Sequence, residues 1–170
     1  PYGVCTLMAA SVSKLGLDVI SSLIIYSLVV VGGLLLHLSI VYMPVASFSS
    51  GKSPIAILKG IKEALILAFS TSSSSATLPV TMRCVEENLD VPNKTTSFVL
   101  PLGATINMDG TALYQGVAAV FIAQVFGVDL SLGDMISIVV MATLSSIGAA
   151  GVPGAGMITL VMVLDTVNPA

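Results

Sequence analysis

The charged residues are few, and their positions leave long stretches of the chain without any charge. Six basic and nine acidic residues make up 9% of the 170 residues, against about a quarter in an ordinary soluble domain. The uncharged stretches are 19–51, 64–82, 95–108, 110–128 and 135–164. Because about 20 mostly apolar residues cross a bilayer core as a helix, we predict an all-α integral membrane protein. The sparse charge argues against a soluble or disordered chain, and the net charge of −3 argues against a nucleic-acid binder.

The first uncharged stretch predicts one uninterrupted transmembrane helix, which we place at residues 17–48. The stretch is too long for a signal peptide, and another apolar segment precedes it. That earlier apolar segment is residues 1–16. Because the chain starts at Pro1, in apolar sequence and without an initiator Met, we expect a fragment of a longer membrane protein.

Three later apolar segments each contain a break near the middle. The first break is the run 70–75, in which five of six residues are serine, followed by Pro79. The second is 107–110, and the third is 148–156, which contains four glycines and one proline. Serine, glycine and proline are unfavourable in a helix interior. Irregular backbone at membrane depth is tolerated only where protein or a watery cavity surrounds it, so the breaks predict three loops that converge on one site.

The first and third of these segments predict re-entrant helical hairpins, and the second predicts a broken transmembrane helix. Hairpin one covers 53–90, the broken helix 95–128 and hairpin two 129–170. The hairpin arms are predicted, in chain order, at 53–69, 77–88, 131–144 and 157–167.

The charges at the hairpin ends predict the side from which each hairpin enters the membrane. Five basic residues flank hairpin one, which indicates the cytoplasmic side; they are Lys52, Lys59, Lys62, Arg83 and Lys94. Hairpin two begins near Asp129 and Asp134, with no basic residue nearby, so we predict that it enters from the extracellular side. Two opposed hairpins of this kind form an inverted repeat.

Asp109 is the only charged residue between Lys94 and Asp129. An unpaired carboxylate at mid-bilayer costs on the order of 3 kcal/mol, so it needs a cation, a proton or a set of hydrogen-bond donors. Asn107 and freed backbone carbonyls would supply the oxygen ligands that hard cations such as sodium prefer. Cation binding is the interpretation we favour, and the alternative is a protonated or capping Asp in a helix kink.

The serine run and the glycine-rich turn predict places for an anionic ligand. We expect a new helix to begin at about Ala76–Thr77, where free N–H groups and the helix dipole suit a carboxylate. The alternative for the serine run is a flexible linker. The turn at 151–156 lets a ligand approach the backbone closely, and its alternative is a plain helix–helix turn.

The composition disfavours enzyme functions. An intramembrane aspartyl protease needs two acids at depth, and only Asp109 qualifies. A serine protease needs a base near its nucleophile, whereas the single histidine, His37, lies in the first span and is expected to pack against neighbouring helices. A channel-like or purely structural bundle, in which the broken helices line a pore, is an alternative of a different class.

Three motifs resemble those of the sodium-coupled dicarboxylate/amino acid symporters. They are Ser-Ser-Ser-Ser-Ala-Thr-Leu-Pro at 72–79, Asn-Met-Asp-Gly-Thr at 107–111 and Gly-Val-Pro-Gly-Ala-Gly at 151–156. That family contains archaeal aspartate transporters, bacterial glutamate transporters, animal excitatory amino acid transporters and neutral amino acid exchangers. The resemblance implies sodium-coupled symport of glutamate or aspartate by alternating access. It leaves open a proton-coupled glutamate symporter or a sodium-coupled neutral amino acid transporter.

The resemblance also implies an architecture and a set of site residues. Residues 1–16 would be the end of a transmembrane helix of a trimeric scaffold, and the rest would be a partial transport domain in the plasma membrane, with hairpin two as the extracellular gate. By this resemblance the chain would be a fragment that lacks both ends. Sodium ions would be co-transported, and no organic cofactor is implied. The implied substrate-binding residues are Ser72, Ser73, Ser74, Met108, Thr111, Val152, Pro153, Gly154, Ala155 and Gly156. The implied sodium ligands are Gly103, Thr105, Asn107, Asp109, Ser146, Ile147 and Ala149.

Two positions bear on which substrate the resemblance implies. Archaeal aspartate transporters carry Arg where Ser72 stands, whereas animal members have serine there and use a basic residue in an eighth span. That span would follow Ala170, so the chain alone is not expected to transport. Thr111 favours a substrate with a side-chain carboxylate, since neutral exchangers often have a similar motif in which Ala stands at this position.

Overall fold

The computed structural model describes residues 18–167 together with Gly3, Thr6 and Ala10. All regular structure in these residues is helical, in agreement with the all-α prediction. The predicted end of an earlier transmembrane helix, residues 1–16, lies outside the described residues apart from those three.

One long helix begins the continuous described part of the chain. It consists of α1 (Asp18–His37), a π-helical turn (Leu38–Tyr42) and α2 (Met43–Ser50). Its 31 residues Ile20–Ser50 form the only helix among the described residues that is both long and apolar enough to cross a membrane. It ends at Gly51, whose φ of 67° is the left-handed conformation that glycine adopts at helix C-termini.

Three helices form hairpin one: α3 (Pro54–Gly60), α4 (Lys62–Thr71) and α5 (Ser74–Leu89). The turn between α4 and α5 contains only Ser72 and Ser73. The helix that follows therefore begins two residues before Ala76, where the sequence placed its start, and most of the serine run is helical.

Hydrogen bonds made by the hydroxyl groups explain why the serine run is mostly helical. The Ser70 and Thr71 hydroxyls donate to backbone carbonyls four residues earlier and so remain inside α4. Ser72 turns the chain with a φ of 50°. The Ser73 hydroxyl then accepts from the backbone N–H of Ala76 at 3.2 Å, which makes Ser73 the N-cap of α5.

The broken helix consists of α6 (Asn93–Ile106) and α7 (Asp109–Val125). Only Asn107 and Met108 leave the helical conformation between them. Gly103 and Gly110, which flank these two residues, both lie inside helices. The break is therefore confined to two residues, and Asp109 is the first residue of α7.

Hairpin two consists of α8 (Leu132–Ile147) and α9 (Ala155–Leu164), joined by residues 148–154. A capping box starts α8: the Ser131 hydroxyl accepts from the Asp134 backbone N–H, and the Asp134 carboxylate accepts from the Ser131 backbone N–H. The turn contains Gly154, whose φ of 81° places it in the left-handed region.

Small residues let hairpin two pack closely on α7. The buried cluster of the described residues joins Ala119 of α7 to Ile138 and Ala142 of α8 and Val163 of α9. Helix α1 also packs on α7, and α5 packs on both α4 and α6. Large apolar side chains such as Phe48 and Phe69 are more than 90% exposed, which suits a surface that faces lipid or other membrane helices.

Replacing Ser131 by Ala should destabilise the start of hairpin two, because it removes the N-cap and one bond of the capping box. We expect a loss of about 1 kcal/mol in the free energy of unfolding, seen as a lower melting temperature of the intact protein in detergent. Ser137→Ala is the matched control, since the Ser137 hydroxyl only donates to the Gly133 carbonyl within the helix. Equal melting temperatures for the two variants would show that the N-cap does not contribute to the stability of the protein.

Candidate functional site

The turns of the two hairpins meet at Gly151. Its carbonyl oxygen accepts from the Ser73 hydroxyl at 2.8 Å and from the Ser75 backbone N–H at 3.0 Å. A Cβ at residue 151 would lie 2.7 Å from Ser75 Oγ and 3.3 Å from the carbonyl oxygen of Ala104 in α6. Only glycine permits this approach, and it brings both hairpins and the broken helix to one place, as the three breaks predicted.

Residues from all three breaks line one cavity of about 300 Å³, the lower end of the size range of small-molecule sites. Seven of the ten implied substrate-binding residues line it: Ser72, Ser74, Met108, Thr111, Val152, Gly154 and Gly156. A larger cavity of about 650 Å³ lies between α1, α7 and α8, but its lining is almost entirely apolar and includes no residue of the breaks. We therefore take the smaller cavity as the candidate site.

The three other implied substrate-binding residues are not in the lining of this cavity. Ser73 is buried, and its hydroxyl is already used to accept from Ala76 and donate to Gly151. Pro153 and Ala155 lie in the second turn next to residues that do line the cavity. Gly151 also lines the cavity and belongs to the turn 151–156, which the sequence offered as a ligand site. The sequence missed three other lining residues, which are Tyr114, Ala150 and Met157.

Gly156 allows α9 to approach α7 at the edge of the cavity. A Cβ at this position would lie 3.0 Å from Thr111 Cγ2 and 3.0 Å from the Tyr114 hydroxyl. Tyr114 is one helical turn after Thr111, so the i, i+3 spacing on α7 could have predicted that both face the cavity. The Tyr114 hydroxyl oxygen is buried without a hydrogen-bond partner among the described residues.

Asp109 follows Met108, which lines the cavity, and its side chain contacts the long helix. Its Oδ2 accepts a hydrogen bond from the Tyr42 hydroxyl. His37 Nε2 lies 3.5 Å from the same oxygen, but it makes no hydrogen bond among the described residues. His37 therefore lies between the long helix and α7, next to the Asp109 carboxylate. The sequence did not predict that Asp109 has a neutral hydrogen-bond donor, Tyr42. Asp109 also stands at the positive end of the α7 dipole, which favours a carboxylate.

Comparison with known proteins identifies the family. A sequence model of the sodium:dicarboxylate symporter family matches residues 1–170. The chain belongs to this family. It is 46% identical to an excitatory amino acid transporter of Caenorhabditis elegans, 47% identical to excitatory amino acid transporter 1 of Ambystoma tigrinum and 48% identical to excitatory amino acid transporter 1 of Homo sapiens. These matches cover 99% of this chain but 34%, 31% and 31% of the relatives, so the chain spans about a third of their length.

The family is named for the symport of sodium and dicarboxylates. The sodium ligands that the sequence motifs imply lie in two groups. Gly103, Asn107 and Asp109 lie along the end of α6 and the start of α7. The second group consists of Thr105 in α6, Ser146 and Ile147 at the end of α8, and Ala149 in the turn after α8.

Gln115 holds hairpin two against α7, and the sequence did not single it out. Its fully buried side chain donates from Nε2 to the Gly156 carbonyl at 2.8 Å and to the Thr159 hydroxyl at 2.6 Å. Its Oε1 accepts from the Ser145 hydroxyl at 2.9 Å. One amide thus bonds both arms of the hairpin, and periodicity alone does not reveal such a contact.

Replacing Gln115 by Leu should loosen hairpin two, because the Ser145 and Gly156 groups would lose partners in a buried place. Such a loss costs about 1–3 kcal/mol. We expect the intact protein to melt at a lower temperature and a cysteine introduced at Val152, which is 52% exposed, to react faster with a maleimide. Gln124→Leu is the control, since Gln124 lies on the same helix but is exposed. Labelling and melting equal to the control would contradict the role of Gln115.

Proposed function

We propose that the intact protein is a secondary active transporter that couples sodium entry to the uptake of an acidic amino acid by alternating access. The observation that supports this most is the cavity lined by residues of all three helix breaks in a chain of the sodium:dicarboxylate symporter family. The relatives named excitatory amino acid transporters support an acidic substrate such as glutamate or aspartate.

The substrate would bind in this cavity between the two turns. The Ser72 and Ser74 hydroxyls and the N-terminus of α5 suit a carboxylate from one side, and the Thr111 hydroxyl suits a second carboxylate from α7. Backbone groups of 152–156 would close the other side. Ser73 would support this site by holding the two turns together, since its hydroxyl is already bonded within the protein.

Sodium would bind as a co-transported substrate at the two groups of oxygen donors. Asp109 supplies the charge of the first group, and Asn107 and the Gly103 carbonyl would add neutral oxygens, the ligand type that hard cations prefer. Carbonyls at the end of α8 would supply the second group, and these change position if hairpin two opens. Binding at the second group would then depend on closure of the hairpin.

The membrane arrangement follows from the same proposal. Residues 17–48 would span the bilayer and 95–128 would form the broken span. Hairpin one, 53–90, would enter from the cytoplasm, and hairpin two, 129–170, would enter from outside and act as the gate. The intact protein would lie in the plasma membrane as a homotrimer, with residues 1–16 at the end of a scaffold helix.

Uptake of radiolabelled aspartate by the intact protein in liposomes tests the proposal. We expect saturable, stereospecific uptake that stops when the sodium gradient is removed. Uptake that continues without sodium but needs a proton gradient would replace sodium coupling by proton coupling. Competition by neutral rather than acidic amino acids would indicate a neutral transporter, and a flux without saturation or competition would indicate a pore.

Asp109→Asn should weaken sodium binding, because the carboxylate is the only acid in either group of proposed ligands. We expect the sodium concentration for half-maximal uptake to rise severalfold, since the ion would lose its only charged ligand among the proposed residues. Asp129→Asn is the matched control, because Asp129 is exposed in the connection between α7 and α8. An unchanged sodium dependence of Asp109→Asn would refute the assignment of Asp109.

Thr111→Ala should shift substrate preference from acidic toward neutral amino acids, because it removes a hydroxyl donor that lines the cavity. A lost hydrogen bond to a charged group is worth about 1.5–3 kcal/mol, which corresponds to about a tenfold or greater loss of aspartate affinity. The measurement is the ratio of inhibition constants for aspartate and alanine. Thr143→Ala is the control, since the Thr143 hydroxyl only donates to a carbonyl within α8. A ratio that does not change would rule out this role for Thr111.

A further inference from the structure

The π-helical turn in the long helix brings His37 and Tyr42 to the same face. In a regular α-helix, residues five apart point about 140° away from each other. A π-helical turn closes its hydrogen bonds between such residues instead, and here the Met43 backbone N–H donates to the Leu38 carbonyl. The His37 and Tyr42 rings meet edge to face, with centroids 4.9 Å apart. Both side chains reach the same oxygen of Asp109.

The Tyr42 hydroxyl links the two side chains proposed as sodium ligands. It donates to Asp109 Oδ2 and accepts a long hydrogen bond from Asn107 Nδ2, with 3.5 Å between the atoms. The other oxygens of these two residues, Asp109 Oδ1 and Asn107 Oδ1, accept no hydrogen bond from the described residues. The tyrosine therefore engages the amide donor and one carboxylate oxygen, and it leaves one oxygen of each residue for another partner.

The partner that suits two such oxygens is a hard cation. Tyr42 is a neutral donor, so it holds the carboxylate without cancelling its charge, whereas a Lys or Arg at this place would repel a cation. We infer that Tyr42 is a positioning residue of the sodium site: its hydroxyl orients Asp109 and Asn107 so that their free oxygens face the ion. This inference rests on the proposed function, because it takes Asp109 and Asn107 as sodium ligands.

An opposite role makes the inference falsifiable. If the Tyr42 hydroxyl occupied the position of the ion, it would compete with sodium, and its removal would strengthen binding. The direction of the change in sodium affinity therefore separates positioning from competition.

Tyr42→Phe in the intact protein tests the inference, with Tyr26→Phe as the matched control. Tyr26 lies in the same helix, but its ring packs on Phe121 with centroids 5.1 Å apart. For Tyr42→Phe, we expect the sodium concentration for half-maximal uptake to rise roughly 3- to 10-fold. This is less than the loss of a direct hydrogen bond to a charged group, because Tyr42 acts on the ion only through Asp109 and Asn107. The substrate concentration for half-maximal uptake at saturating sodium should stay at the wild-type value. Tyr26→Phe should leave both values unchanged.

Sodium binding measured without transport provides the second readout. The rise in melting temperature with sodium concentration reports affinity for the folded protein, and its midpoint should shift for Tyr42→Phe by the same factor as uptake. In the Asp109→Asn background, Tyr42→Phe should add no further shift, because coupled residues are not additive. A lower melting temperature with an unchanged sodium midpoint would show a purely structural role and overturn the inference, as would a midpoint at lower sodium.

The results also separate this inference from the proposed function. If wild-type protein neither takes up aspartate with sodium nor gains stability from sodium, both fail. If wild-type protein does so and Tyr42→Phe matches Tyr26→Phe, only the positioning role fails. Should Tyr42→Phe not fold, Tyr42→Gln keeps a neutral donor, and sodium affinity close to wild type is expected. A Tyr42→Gln protein that folds but has lost sodium binding would count against the role of the donor.

Discussion

The carbonyl oxygen of Gly151 is the acceptor through which the two hairpin turns hold each other. A chain that breaks its helices inside a bilayer exposes backbone N–H and C=O groups where no water can satisfy them, and each such group left alone is costly. Here the Gly151 carbonyl receives both the Ser73 hydroxyl and the Ser75 N–H. Ser73 in turn satisfies the free Ala76 N–H at the start of α5. The backbone carbonyl that the turn of hairpin two leaves free is thus the acceptor for polar groups at the turn of hairpin one.

Hairpin two is attached to the rest of the structure by two kinds of contact. At its tip there are two hydrogen bonds to one carbonyl, and the surrounding turn carries little apolar surface. Along its body there are the buried cluster around Ile138 and Val163 and the three hydrogen bonds of Gln115. Separation of the tip costs less than separation of the body, because only the body buries large apolar side chains. The proposed gate requires this difference in cost, because the tip must open while the arms of the hairpin stay packed.

The positions of the breaks could be predicted from sequence, whereas their lengths could not. Charge-free stretches and the serine, asparagine and glycine motifs place the breaks correctly, because they depend on backbone chemistry local to those residues. The break at 107–108 is shorter than the predicted 107–110, since Gly110 permits unwinding but does not require it and lies inside α7. The serine run is mostly helical, because Ser70 and Thr71 bond to their own helix. The Gln115 contacts connect residues 30 or more positions apart, and no periodicity within one helix indicates them.

The surroundings of Asp109 show how one carboxylate can be kept in an otherwise uncharged stretch without a Lys or Arg partner among the described residues. The start of α7 offers a partial positive charge, and the Tyr42 hydroxyl offers a neutral donor. A fixed basic partner would satisfy the carboxylate permanently, and a cation would then have to displace it. Neutral donors leave the net negative charge in place, so a cation can bind and leave without breaking an ion pair. That arrangement depends on the π-helical turn, because a regular α-helix would turn Tyr42 away from the face that His37 shares with Asp109.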